Sequence, residues 1–221
     1  MEVLVVLIFV FFIWIIIKIS SGPSNTKDVR LLTKGKTKEQ VKAIEYFCKK
    51  GCLKRVISDE EYLKLVRDKR DSMNFKQKAL NKIGLDEEEV SEISPVKFEG
   101  FVYKFAYAKQ NASGKWVSSS YQVSWLFFSS TQLYIYSCTF NMDDDKKNER
   151  TDEFFYKDVT SFSTFSQSDI AHDIRGNTFE ITSEQFALVV PGDKLFLAMG
   201  DIKNADDIIQ GMKQKLREKK M

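Results

Sequence analysis

The sequence predicts a membrane-anchored protein in three parts: an N-terminal transmembrane helix, a short helical region, and a mainly-β barrel or sandwich of about seven antiparallel strands closed by a C-terminal α-helix. Three observations carry this. Val3–Ile17 is apolar without a break. Between Lys38 and Ile83 apolar residues recur every three or four positions. From Val96 onward short alternating runs are separated by turn residues. The boundaries follow as 1–22 for the anchor, 23–94 for a basic juxtamembrane helical region and 95–221 for the β-domain.

The anchor comes first. A helix over Met1–Ile19 is about 28 Å long at about 1.5 Å per residue, against a hydrocarbon core of about 30 Å. A secretory signal fits poorly, because no basic stretch precedes the run and no small-x-small cleavage site precedes Ser20. Lys18, Lys27, Arg30, Lys34, Lys36 and Lys38 all follow the span, whereas only the α-amine and Glu2 precede it. The positive-inside rule then sets a single-pass protein of the cell membrane, with its N-terminus outside and its C-terminal body cytoplasmic. The three cysteines, an odd number, agree with reduced thiols in that compartment.

Ser20–Lys27, "SSGPSNTK", reads as a linker. Val41, Ile44, Phe47 and Cys48 line one face of a helix over Lys38–Lys50, stopped by Gly51. Ser58 with Glu61 forms a capping box for a second helix, with Tyr62, Leu63, Leu65 and Val66 as its apolar positions. A third helix is expected from Asp71 or Ser72 to Ile83, ended by Gly84. Charge divides the chain here. Residues 18–82 hold eighteen Lys/Arg against eight Asp/Glu, and residues 83–200 hold ten against eighteen. The basic helices therefore either meet anionic lipid of the inner leaflet or pack on the acidic body.

In the body, Phe98–Ala108, Trp116–Ser129, Leu133–Phe140, Thr178–Ser183, Phe186–Val190 and Lys194–Met199 read as strands, with "NASG" (Asn111–Gly114) as a turn and 141–150 as a loop. Glu153–Ser166, "EFFYKDVTSFSTFS", reads as one further strand whose residues alternate between two faces. Asn204–Lys219 reads as the closing helix, capped by Asn204, with Ala205, Ile208, Ile209, Met212 and Leu216 as its stripe.

The stretch Glu153–Ser166 resembles a strand of bacterial pleckstrin-homology-like domains that reads aromatic-x-Asp-(Ile/Val)-Ser/Thr-x-aromatic. The matching residues are Tyr156, Asp158, Val159, Thr160 and Phe162. "DKLFLAM" and the last helix are similar to the closing strand and helix of that fold. The whole chain resembles bacterial proteins with one N-terminal anchor and such a body. The resemblance implies a phosphoinositide site in the loop between the first two strands of the fold. Here that place, roughly 103–116, offers Lys104, Lys109 and Lys115 as candidate lipid-binding residues. Their spacing is wider than the family's Lys-x-Arg cluster, and the acidic body opposes anionic headgroups.

Enzymatic groups are not assembled by the sequence. His172 is the one histidine, expected in an exposed loop. Cys48 and Cys52 make at most half a zinc site, and Asp143, Asp144 and Asp145 lack the ligand spacing of a calcium loop. No phosphate-binding glycine loop or nucleophile elbow occurs. The expectation is a non-enzymatic, membrane-tethered cytosolic interaction module, without cofactor or metal, binding an unknown protein partner and no nucleic acid. A lipid-binding module is the alternative.

Overall fold

The computed structural model describes residues 26–48, 57–86, 88–90, 93–200 and 205–220. The transmembrane expectation, the Gly51 stop, Cys52 and the Asn204 cap lie outside these residues. Among the described residues no helix is long and apolar enough to cross a membrane.

Among the described residues four helices precede the strands: α1 (Thr26–Thr33), α2 (Lys38–Phe47), α3 (Asp59–Ser72) and α4 (Phe75–Ile83). Capping boxes start two of them. Thr37 and Gln40 exchange side-chain and backbone bonds at α2, and Ser58 and Glu61 do so at α3. The break between α3 and α4 falls later than the sequence reading had it. Helix α3 runs through Ser72, and Asn74 turns the chain at φ 44°. Asparagine tolerates this left-handed conformation, and the turn drops Phe75 into the core, 5% exposed, against the rings of Tyr136 and Phe140.

The rest is mainly β, in three antiparallel sheets, with α5 (Ala205–Lys220) after them. Strands β1 (Ile93–Val102), β4 (Ser120–Phe128), β5 (Gln132–Asn141) and β6 (Lys147–Phe155) form the first sheet, in the order β1-β4-β5-β6. Strands β2 (Ala108–Gln110) and β3 (Trp116–Ser118) form a small hairpin between β1 and β4. Strands β7 (Ser161–His172), β8 (Thr178–Val190) and β9 (Asp193–Ala198) form the third sheet. The sheets do not close into one continuous barrel. They meet at a corner where Gly200 N–H donates to the Glu99 carbonyl at 2.8 Å. A Cβ on Gly200 would lie 2.8 Å from that oxygen, so only glycine permits the approach.

The central strands of the four-stranded sheet, β4 and β5, are buried on both faces. Toward the helices the sheet turns Val123, Phe127, Tyr134, Tyr136, Cys138 and Phe140, which join Tyr46, Phe47, Tyr62, Val66, Phe75 and Leu80 in one apolar cluster. Toward the third sheet it turns Phe98, Leu126, Phe128, Leu133 and Ile135, which meet Phe186, Leu188, Leu195 and Leu197. Helix α5 completes this inner cluster with Ile209, Met212 and Leu216, three members of the stripe read from the sequence. Double burial explains why β4 reads "YQVSWLFF" with little clean alternation. The basic helices thus pack on the β-strands, and the described residues of 23–94 share a core with those of 95–221.

Three further elements depart from the sequence reading. "EFFYKDVTSFSTFS" is not one strand. Glu153–Phe155 ends β6, Tyr156–Asp158 forms a 3-10 turn, and Ser161 begins β7. Tyr156 sets this corner by donating its hydroxyl to the Ser129 carbonyl at 2.8 Å, while Tyr156, Val159 and Phe162 all enter the inner core. His172 is not on an exposed loop. It is the last residue of β7, half-buried, with its ring 5.1 Å from that of Tyr107. Thr178–Ser183 and Phe186–Val190 belong to one strand, β8.

Candidate functional site

A cleft of about 630 Å³ opens between α2, α3 and the loop that joins β5 to β6. Its walls rest on the two capped helix starts. Gln40, held by the Thr37 capping box, reaches across with its Nε2 and donates to Asp145 Oδ1 at 2.7 Å. From α3, Lys69 Nζ donates to the Asn141 carbonyl at 2.5 Å and lies 5.7 Å from the centre of the Phe140 ring. Desolvation lowers the Lys69 pKa, and the nearby Asp145, Asp144 and Asp143 only partly offset it.

The loop is built to hold still. Met142 N–H donates to the Ser119 carbonyl at 2.7 Å, and Met142 is 2% exposed. Asp144 Oδ1 accepts from Asn141 Nδ2 at 3.1 Å and from the Lys146 N–H at 2.8 Å. Asp143 is buried enough that desolvation raises its pKa. Leu65 and Met142 supply the apolar lining, and the charged lining is mixed: Lys42, Lys64 and Lys69 against Glu39, Glu61, Asp68 and Asp145. Lys64 and Asp68 already pair at 2.6 Å. Among the described residues no three His, Cys, Asp or Glu side chains converge in a metal-binding group.

Below the cleft, an aromatic and polar network ties α2 and α3 to the β2–β3 hairpin. The rings of Tyr46 and Tyr62 stack at 4.0 Å, and Tyr62 donates its buried hydroxyl to the Ser118 carbonyl at 2.6 Å. Tyr46 donates to Asp59 Oδ1 at 2.8 Å, and Asp59 Oδ2 accepts from the Ala112 N–H at 2.7 Å. That backbone bond leads the causes that lower the Asp59 pKa; burial, with Asp59 beside it, pushes the Tyr46 phenol up.

The three sequence candidates are dispersed over this region. Lys109 Nζ donates to the Tyr46 carbonyl at 2.6 Å and sits 3.5 Å from the Tyr46 ring centre, so it caps the end of α2. Its pKa is lowered by desolvation, countered in part by Asp59. Lys104 is exposed at the β1–β2 turn, 5.6 Å from the ring of Phe105. Lys115 is exposed at the far end of the β2–β3 hairpin, where its N–H donates to Asn111 Oδ1 at 2.9 Å. Sequence reasoning missed the cleft, Gln40 and Lys69. The Thr37–Gln40 capping box was the available signal for the first wall; the partner of Lys69 lies 72 residues away and leaves no local trace. Comparison with protein-family models, with curated proteins and with solved structures finds no match for this chain.

Proposed function

We propose that this chain is a membrane-tethered, non-enzymatic interaction module, with a pleckstrin-homology-like body that takes a protein segment in the cleft between α2 and α3. The observation that carries the reading is the charge of the cleft. Three ammonium groups face four carboxylates around an apolar strip of Leu65 and Met142. An anionic headgroup needs converging cations, whereas a peptide carrying both signs and an apolar anchor finds complements here. The architecture supports the fold half of the proposal: a four-stranded meander, broken only by the β2–β3 hairpin, a three-stranded meander, and a helix sealing the inner core. The apolar run Val3–Ile17 and the lysines after it support the tether and its orientation.

The test is site-specific photocrosslinking of the full chain in native membranes, with the probe at Lys42 or Lys64 and, as control, at exposed Glu180 on β8. A discrete protein adduct from the cleft positions that the control lacks is the expected result. Adducts to lipid only, or the same adducts from all three positions, overturn it.

A lipid-binding reading has one observation of its own: Phe105, at φ 58° and 82% exposed, stands beside Lys104 at a turn tip. It predicts vesicle binding by the full chain's body that is lost on Phe105→Ser with Lys104→Ala. Binding unaffected by that pair removes the reading.

A further inference from the structure

The strand edges of this protein are protected unequally. At the outer edge of the first sheet, β6 carries five charged residues in nine: Lys147, Glu149, Arg150, Asp152 and Glu153. Strand β9 is six residues long and opens with Asp193 and Lys194. Strand β1 carries Pro95 and is tied at the Glu99–Gly200 contact. Charges, brevity and proline are the usual means of keeping an edge from pairing with another chain. Strand β7 has none of them over its first two thirds, and its one carboxylate, Asp169, comes only after that. It is twelve residues long and lies at the edge of its sheet, and its first eight residues, "SFSTFSQS", hold neither charge nor proline. Among the described residues, the only strand contact on its outer side is the single bridge of His172 to Tyr107 at its far end.

We infer that the outer edge of β7 pairs antiparallel with β7 of a second copy of this chain, about a two-fold axis at Thr164. An antiparallel edge-to-edge joint is isologous, so the strand must complement itself, and directly opposed residues must share a face. Centred on Thr164, the pairing sets Thr164 opposite Thr164, Ser163 opposite Phe165, Phe162 opposite Ser166 and Ser161 opposite Gln167. No two charges meet. The register also covers an apolar feature the monomer leaves in water. Phe165 is half-buried with its ring 4.9 Å from Phe196, which is 44% exposed. In the pair the two Phe165 side chains become diagonal neighbours on one face, each flanked by a Phe196, within the reach of cross-strand aromatic contacts. Helix α5 packs on the core side of Phe162 and completes the inner core, so the joint needs no rearrangement of that core.

Two measurements test this on the detergent-solubilised full chain. Mass by light scattering should give a dimer, and Thr164→Lys, an exposed position, should weaken dimerisation by about tenfold or more through two like charges at the axis, with the far-ultraviolet circular dichroism unchanged. Ser166→Lys is the second variant should the first unfold. In parallel, oxidation of Thr164→Cys should give a chain-to-chain disulfide well above the wild type, whose own three cysteines set the background, and above Asn148→Cys on the charged β6 edge. A wild type that stays monomeric with no excess crosslink at 164, a dimer that both lysine variants leave intact, or a 164 crosslink to a different protein each overturns the inference.

Discussion

The two faces of the four-stranded sheet are buried by different means. The inner face is covered by Phe, Leu and Val from the third sheet and by the stripe of α5. The helix-facing side is covered by an aromatic layer laced with polar groups: Tyr46 with Asp59, Tyr62 with Ser118, and Lys109 over Tyr46. Around that layer, basic helices meet acidic strands. Arg70 pairs with Glu99 at 2.9 Å, and Glu149 receives Lys82 at 2.5 Å and Lys78 at 3.6 Å from α4, beside Lys147 of its own strand at 3.1 Å. The inner core is held by apolar area, which neither charge screening nor protonation weakens. The helix layer adds directional bonds and charge, which both can weaken. The charge division of the chain, a basic first part and an acidic body, is in these pairs a complementarity within the molecule.

The comparison can be broken most forcefully from the inside. Phe186 is fully buried, stacked 4.5 Å from Phe98 and 5.8 Å from Phe162. Phe186→Ala should destabilise the full chain by about 3–5 kcal/mol in denaturant titration, with no dependence on salt. At the corner between the sheets, Gly200→Ala must push its Cβ away from the Glu99 carbonyl. A loss of about 1–3 kcal/mol is expected by the same titration, and an unchanged midpoint would show that the corner yields freely.

On the helix side, Tyr62→Phe keeps the stacked ring and removes the donor to the Ser118 carbonyl. That leaves a buried acceptor without this bond, so a loss of about 1–3 kcal/mol is expected, at the lower end if water reaches the oxygen. The smallest effect is the most specific. Hydrogen bonds from Lys82, then Lys147, hold the Glu149 carboxyl down to about 2 from its ordinary 4.5. A carboxylate lowered in the folded state stabilises it above the ordinary value and loses that contribution as pH falls toward the folded one. Melting temperatures should therefore fall between pH about 4.5 and about 2 in the wild type, and Glu149→Gln should flatten that part of the profile. An equally steep fall in the variant assigns the acid sensitivity to other groups.

What the sequence made legible was local. The Ser58–Glu61 box, the Gly84 stop at φ 76° and the Ile209, Met212, Leu216 stripe needed only neighbours in the chain. The reading failed where distant partners decide. Alternation on either side of Tyr156 conceals a turn that contains neither glycine nor proline, because the bond that bends it runs from the Tyr156 hydroxyl to the distant Ser129 carbonyl. Lys109 resembles any hairpin lysine until α2 arrives, 63 residues earlier in the chain, to lay its last carbonyls beneath it. The cleft was invisible for the same reason: its walls come from α2, α3 and the β5–β6 loop, three separated segments.

Burial of β4 and β5 on both faces also orders events in time. Helices α2–α4 leave the ribosome before any strand they cover, so they must wait for their platform as short helices of 10, 14 and 9 residues, the first two with capping boxes and the third without a side-chain N-cap bond. When β4 and β5 pair, their hairpin presents aromatic residues on two sides at once, and the helices already in hand can cover one side immediately. The other stays open until β7, β8, β9 and α5 have been made. Chains caught in that interval expose the face that carries Leu126, Phe128, Leu133 and Ile135, and pulse-labelling of arrested nascent chains should find those residues reactive long after Tyr136 and Phe140 are protected.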